Sequence, residues 1–111
     1  MRAIKFRAWD EEYNEMIYAS STRITLNGQI EDARPWALLQ YTGPTDTQGN
    51  EIYEGDILRE PDGRRYVIVW APGEARFDLK HIDDPMVRHI KDVHIMEVIG
   101  NLYEQPDLLT R

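Results

Sequence analysis

All three histidines of the chain lie in one acidic segment, His81-x-Asp83-Asp84-x4-His89-x2-Asp92-x-His94. Neutral imidazole and carboxylate suit zinc, manganese or non-haem iron, and a metal held there would lower the pKa of its bound water for hydrolysis. A metal-dependent hydrolase or nuclease built on this segment would use His81, Asp83, His89 and His94. The spacings match no established motif such as His-Glu-x-x-His, so surface histidines and helix-capping aspartates explain the same residues. A second group of acids, Glu51, Glu54 and Asp56, falls on adjoining turns, where paired carboxylates can divide general acid and base roles. No histidine or lysine at fixed spacing accompanies them. Asp56, directly after Gly55, is placed to accept from backbone amides of its own turn.

Three further patterns carry less. Asp46-Thr47-Gln48-Gly49-Asn50-Glu51 begins like an oxygen-rich calcium loop but lacks its length and alternating carboxylates, so Asp46 and Asn50 read as turn formers. Arg59, Arg64 and Arg65 form a local basic knot beside Tyr66, with Arg76 on the strand expected next to it. Clustered arginine and tyrosine bind nucleic acid or anchor a protein contact. Lys5, Arg7 and Trp9 alternate along one face of a strand; that face either stacks on bases or is a solvated edge whose charges block edge pairing. For a nucleophile there is little: Gly-x-Ser-x-Gly is absent, Ser20 and Ser21 are the only serines, and cysteine is missing.

These residues sit among short extended segments. Ile4, Phe6 and Ala8 alternate with polar neighbours, and Met16-Ile17-Tyr18 completes a first hairpin. Thr22, Ile24 and Leu26 alternate up to Asn27-Gly28, which predicts a type I′ hairpin to Gln29-Ile30. Around Pro35 the spacing suggests a helical turn over Arg34–Ala37, with Trp36 plugging the core or a contact. Leu38–Leu58 reads as strand, long turn, strand, then the Tyr53-Glu54-Gly55-Asp56 turn into Ile57-Leu58. Glu60-Pro61-Asp62-Gly63 reverses the chain into Arg64–Trp70, whose two faces are both apolar and predict a strand covered on both sides, central in a barrel or at a subunit interface. Phe77 and Leu79 should point inward with Ala75. Lys80–Asp92 reads as a loop with a helical turn over Asp84–His89, and Pro106–Leu109 as a closing helical turn; Val93–Tyr103 fits a helix period about as well as a strand, its Val and Ile content and the Gly100-Asn101 break favouring strand.

A chain of 111 residues is expected to be one domain, residues 1–111, burying about two-thirds of its unfolded surface. With 41% hydrophobic and 30% charged residues, the composition is that of a folded domain. No apolar run approaches the roughly 18 residues that span a bilayer, and no signal peptide is visible, so a cytoplasmic place without a membrane partner is expected. The net charge of −7 disfavours phosphate backbones. Both halves are acidic, with eleven acids against six bases through Glu60 and nine against seven after it, so no basic tail overrides that field.

Gln40-Tyr41-Thr42-Gly43, Asp46, Gly49 and above all Glu51-Ile52-Tyr53-Glu54-Gly55-Asp56-Ile57 resemble the core signature of the YopX family, small proteins of bacteriophages and prophages. Ile4–Asp10 with Met16–Tyr18 near the start agrees, as does Glu97–Glu104 with Pro106–Leu109 near the end. Pro44-Thr45 departs from the apolar and basic pair common there. The resemblance implies phage origin, multi-subunit assembly and residence in a bacterial host cytoplasm; it implies no activity. The fold expected is mostly β, a small antiparallel barrel or bent sheet of about seven or eight strands with short helical turns. Three tryptophans and six tyrosines point to a homo-oligomer, because such aromatics are enriched at interfaces. Two functions follow: a non-enzymatic oligomeric binding or scaffolding module for a host or phage protein, needing no cofactor, or the metal-dependent hydrolase. Contact residues for the first would be Tyr41, Tyr53, Glu54, Asp56, Arg64 and Arg65, the last two being also where nucleic acid would bind.

Overall fold

The computed structural model describes residues 5–18, 36–71, 73–82 and 87–109. These form nine strands: β1 (Phe6–Asp10), β2 (Glu15–Tyr18), β3 (Trp36–Thr45), β4 (Glu51–Tyr53), β5 (Asp56–Arg59), β6 (Arg65–Ala71), β7 (Arg76–His81), β8 (Val87–His89) and β9 (Glu97–Asn101). Two short 3₁₀ helices, Ile90–Ile95 and Pro106–Leu109, follow β8 and β9. The strands make two antiparallel sheets, ordered β2-β1-β3-β4 and β8-β7-β6-β5-β9. The mostly β fold with short helical turns expected from the sequence is therefore present, with nine strands among the described residues instead of seven or eight.

In the first sheet, β1 is paired on both sides: Ala8 lies opposite Ile17 of β2 and Leu38 of β3. This corrects the solvated-edge expectation for Arg7 and Trp9, which are buried along with Ala8, while Lys5 stays partly exposed. β3 begins at Trp36, so Trp36 and Ala37 are extended and not part of a helical turn. The Thr22–Ile30 hairpin, Arg34 and the Trp36 side chain lie outside what is described. Between Tyr41 and Thr45 the β3–β4 ladder shifts register, where Gly43 takes φ +112° and Pro44 has no amide hydrogen to give.

The second sheet holds the larger core. Leu58, Tyr66, Ile68, Phe77 and Leu79 meet Ile52, Val93 and Met96, each burial of that kind stabilising the fold by about 1.5–3 kcal/mol. β6 is the central strand, but only its Tyr66 and Ile68 face is covered; Val67 and Val69 are half-buried and Trp70 is exposed. Of the two expectations, a strand central in a barrel is thus corrected, since within the chain one face of β6 is only partly covered. Ala75 is exposed in the turn before β7 and does not join Phe77 and Leu79 inside. Val87–His89 pairs with β7 as strand β8, and the helical turn comes after it, from Ile90. Val93–Ile95 belongs to that 3₁₀ helix, leaving only Glu97–Asn101 extended. Alternation in a three-residue strand is too brief to separate from a turn in sequence.

Asp46 fastens the β3–β4 turn to the edge of β9. Its Oδ1 accepts from the amides of Gln48 (2.9 Å) and Asn50 (2.8 Å) and its Oδ2 from the amide of Val98 (2.9 Å). The turn-former reading of Asp46 is correct. An acid that caps its own turn here also occupies the amide of a strand edge.

Candidate functional site

A buried ion pair bridges the two sheets. Arg7 on β1 donates through Nη2 to Asp56 Oδ1 on β5 at 2.6 Å, and at 3.4 Å to the Glu54 carbonyl. Asp56 Oδ2 accepts from the Tyr53 amide at 2.8 Å, closing the turn that Gly55 makes at φ +89°. The guanidinium carbon lies 4.7 Å from the centre of the Tyr53 ring, and Arg7 Nε is buried without a partner. Burial pushes the Asp56 carboxyl above its ordinary range, and the Arg7 charge and Tyr53 amide oppose it only in part. Burial, reinforced by Glu51, pushes the Tyr53 hydroxyl up to about 12. It therefore acts as a donor, to Glu51 Oε1 at 3.3 Å, and Lys5 in turn pairs with Glu51 Oε2.

Arg7, Tyr53 and Asp56 line an open pocket of about 490 Å³ completed by Tyr18, Asn101 and Glu104. Asn101 is fixed: its Oδ1 accepts from the amides of Tyr103 (3.0 Å) and Glu104 (2.8 Å), and its Nδ2 donates to Glu104 Oε1 at 2.8 Å. The Tyr18 ring meets Tyr53 edge-on at 5.9 Å. Across the molecule, where the sheets meet again, Phe6 and Leu38 face Trp70 and Phe77 over a groove of about 250 Å³ floored by Gln40 and Glu54. Trp70 is 44% exposed and Leu38 40%; the Trp70 ring stands edge-on to Phe77 at 5.0 Å. Burial raises the Glu54 carboxyl above its usual range, opposed by the Gln40 backbone.

The family model for the YopX protein matches residues 19–110. The chain belongs to the YopX family. The crystal structure of protein EF1440 from Enterococcus faecalis is similar throughout, with a TM-score of 0.67 and 28% sequence identity over 98% of this chain and 99% of that one. No curated protein matches.

In this YopX chain the residues singled out from sequence go to different places. Tyr53 and Asp56 line the polar pocket; Tyr41 is buried behind them, its ring 5.6 Å from Tyr53. Glu54, one turn away, lines the apolar groove instead. Glu54 is thus separated from Glu51 and Asp56, which both line the polar pocket, Asp56 held by Arg7 and Glu51 by Lys5 and Tyr53. The basic knot is dispersed by its own partners: Arg59 meets Glu97 (2.8 Å), Arg64 meets Asp62 (3.4 Å), Arg65 Nη1 donates to the Leu108 carbonyl (2.9 Å) and Arg76 meets Asp78 (2.9 Å).

The histidines do not converge. His81 is buried edge-on against Tyr66, with ring centres 5.2 Å apart. His89 Nδ1 accepts from the Lys91 amide (3.1 Å) and caps the 3₁₀ helix, while His94 Nδ1 donates to the Lys91 carbonyl (2.7 Å). Asp83 lies outside what is described, and among the described residues no three histidine or acidic side chains are arranged as metal ligands. Sequence reasoning missed Trp70 and Asn101 as site residues and placed Arg7 only on a strand face that stacks on bases or is solvated. For Arg7 the alternation with Phe6 and Ala8 pointed to a solvated face; for Asn101 there was no signal.

Proposed function

We propose that this chain is a phage- or prophage-encoded module that works by contact rather than catalysis, assembling with copies of itself and scaffolding a host or phage protein in the bacterial cytoplasm. The observation that carries the reading is the Trp70 groove. A tryptophan propped against Phe77 in open solvent, facing an exposed Leu38, presents apolar area that a partner surface would remove from water, and tryptophan is the side chain most often found at the energetic centre of interfaces. Trp70 and Leu38 stand on opposite walls, so a two-fold axis can lay each against the other's counterpart, as an isologous dimer requires. Glu54 belongs to this contact, while Tyr53 and Asp56 line the separate polar pocket. Among the described residues no helix is long and apolar enough to cross a membrane.

Light scattering after gel filtration tests this. The wild-type chain should elute at a multiple of its monomer mass, and Trp70→Ser, whose side chain lies outside the core, should elute as a monomer with an unchanged circular dichroism spectrum. A wild type that stays monomeric across a wide concentration range would overturn the assembly reading.

A further inference from the structure

We propose that the polar pocket beside Arg7 and Asp56 binds a neutral, hydroxyl-rich ligand, a sugar ring, with Tyr18 as its stacking face. The charges select against ions of either sign. Glu51, Asp56 and Glu104 oppose phosphate or carboxylate, while Arg7 inside the pocket and Lys5 on Glu51 oppose an amine. Hydrogen bonding then chooses among neutral ligands. Arg7 is 4% exposed, makes both its bonds through Nη2 and has no acceptor on Nε, so the guanidinium keeps donor capacity beyond Asp56. Glu51 and Glu104, in contrast, can only accept. A hydroxyl both accepts and donates, so a ring carrying several of them answers the two sides with one chemical group.

The pocket is also built in advance. Asn101 and Glu104 are locked to each other and to the turn that follows β9, and Asp56 holds Arg7, so little ordering is left for the ligand to impose. Tyr18 is 47% exposed and braced by Tyr53, so aromatic surface is open to the carbon-bound hydrogens of a sugar. The volume of about 490 Å³ lies within the range of small-ligand sites.

The test is a titration of the ¹⁵N-labelled full chain with glucose, galactose and N-acetylglucosamine, followed by amide shifts. At least one sugar should move the amides of Asn50, Gly100, Asn101 and Glu104 saturably and leave Trp70 in place. Tyr18→Ala and Glu104→Ala, both outside the core, should each weaken that binding by about tenfold or more, while Trp70→Ser leaves it unchanged. No saturable shift with any sugar at about 100 mM, where a millimolar site is filled, overturns the proposal. So does saturation of the same amides by inorganic phosphate, spermidine or a blocked tripeptide in place of the sugars, or wild-type affinity in both pocket variants. Because assembly is read at Trp70 and sugar binding at Tyr18, failure of one leaves the other standing.

Discussion

Arg7 and Asp56 come from different sheets and meet at 2.6 Å with both side chains buried, their 49 residues of separation closed by a single ion pair. Removing one partner of such a pair strands the other charge in a poorly solvated place. Arg7→Met should therefore cost about 3–5 kcal/mol of folding stability in urea denaturation. Replacing both, as Arg7→Met with Asp56→Leu, should recover much of that loss, because then only the Tyr53 amide lacks its acceptor and the Glu54 carbonyl its long bond. A double variant no more stable than the single one would show that the pair's hydrogen bonds, and not the stranded charge, dominate.

Asp46 sets an acid limit on stability. Burial acts to raise its carboxyl, but the amides of Val98, Asn50 and Gln48 outweigh this and hold it below its ordinary value. A folded-state pKa below the unfolded one, about 3.9, means the unfolded chain binds the proton more readily. The stabilisation is then complete above that value and lost as pH falls through the folded one. Asp56 runs the other way, since its folded pKa is raised: its share of stability falls as pH rises from the ordinary carboxylate value through the raised one. Comparing wild type with Asp46→Asn across pH 2 to 6, a range set by the carboxylate values near 4, isolates the first effect. The gap between them should be largest at the neutral end of that range and close towards its acid end. Asp46→Ala should cost about 1.5–3 kcal/mol at neutral pH.

What was legible in the sequence follows from range. Tyr53-Glu54-Gly55-Asp56 and Glu60-Pro61-Asp62-Gly63 declare their turns through residues only a few positions apart, and both turns are where they were expected. The Asp46 turn was equally local, yet its bond to Val98 was not, and that bond gives the turn its place on β9. Arg7 looked like a solvated charge because nothing nearby in sequence marks Asp56 as its partner. The His81–His94 segment misled for the opposite reason: closeness along the chain suggested convergence, but His81 ends β7 on the core side while His89 and His94 turn to the backbone of Lys91. Trp70 was read as covered because a strand with two apolar faces resembles a fully buried one, and sequence does not say whether the second cover is this chain or another.

Gly55 should be the least replaceable glycine of the described turns. It holds φ +89°, which side chains resist, and an added Cβ would sit 2.9 Å from Cε2 of Tyr103. Tyr103 has little room to yield, because its ring stacks on buried Trp9 with centres 5.8 Å apart. Gly63 has nearly the same backbone, φ +94°, with nothing within 4 Å of an added Cβ. Gly63→Ala therefore isolates the backbone strain, about 1–2 kcal/mol, and Gly55→Ala should cost clearly more in thermal unfolding. Equal losses at the two sites would mean that Tyr103 moves aside freely.

Glu60 offers the last case, a buried carboxylate whose counter-charge arrives from a distant strand. It pairs with Arg88 of β8 and accepts from the Tyr66 hydroxyl at 3.3 Å, while Arg88 also reaches Asp92 at 3.3 Å and lies over the Tyr66 ring at 5.7 Å. β8 has only three residues and pairs with β7 alone, so Arg88 is its main tie to the β5–β6 turn. Arg88→Met should cost more than Tyr66→Phe, because it leaves Glu60 unpaired in a buried site, whereas the lost hydroxyl removes one long hydrogen bond worth about 0.5–1.5 kcal/mol. Hydrogen exchange gives the sharper measurement. In Arg88→Met the amides of Val87 to His89 should lose protection while those of β5 and β6 keep theirs, because the core strands are held by Leu58, Tyr66 and Ile68 independently of β8. Uniform loss of protection over both regions would instead make β8 part of the same cooperative unit as the core.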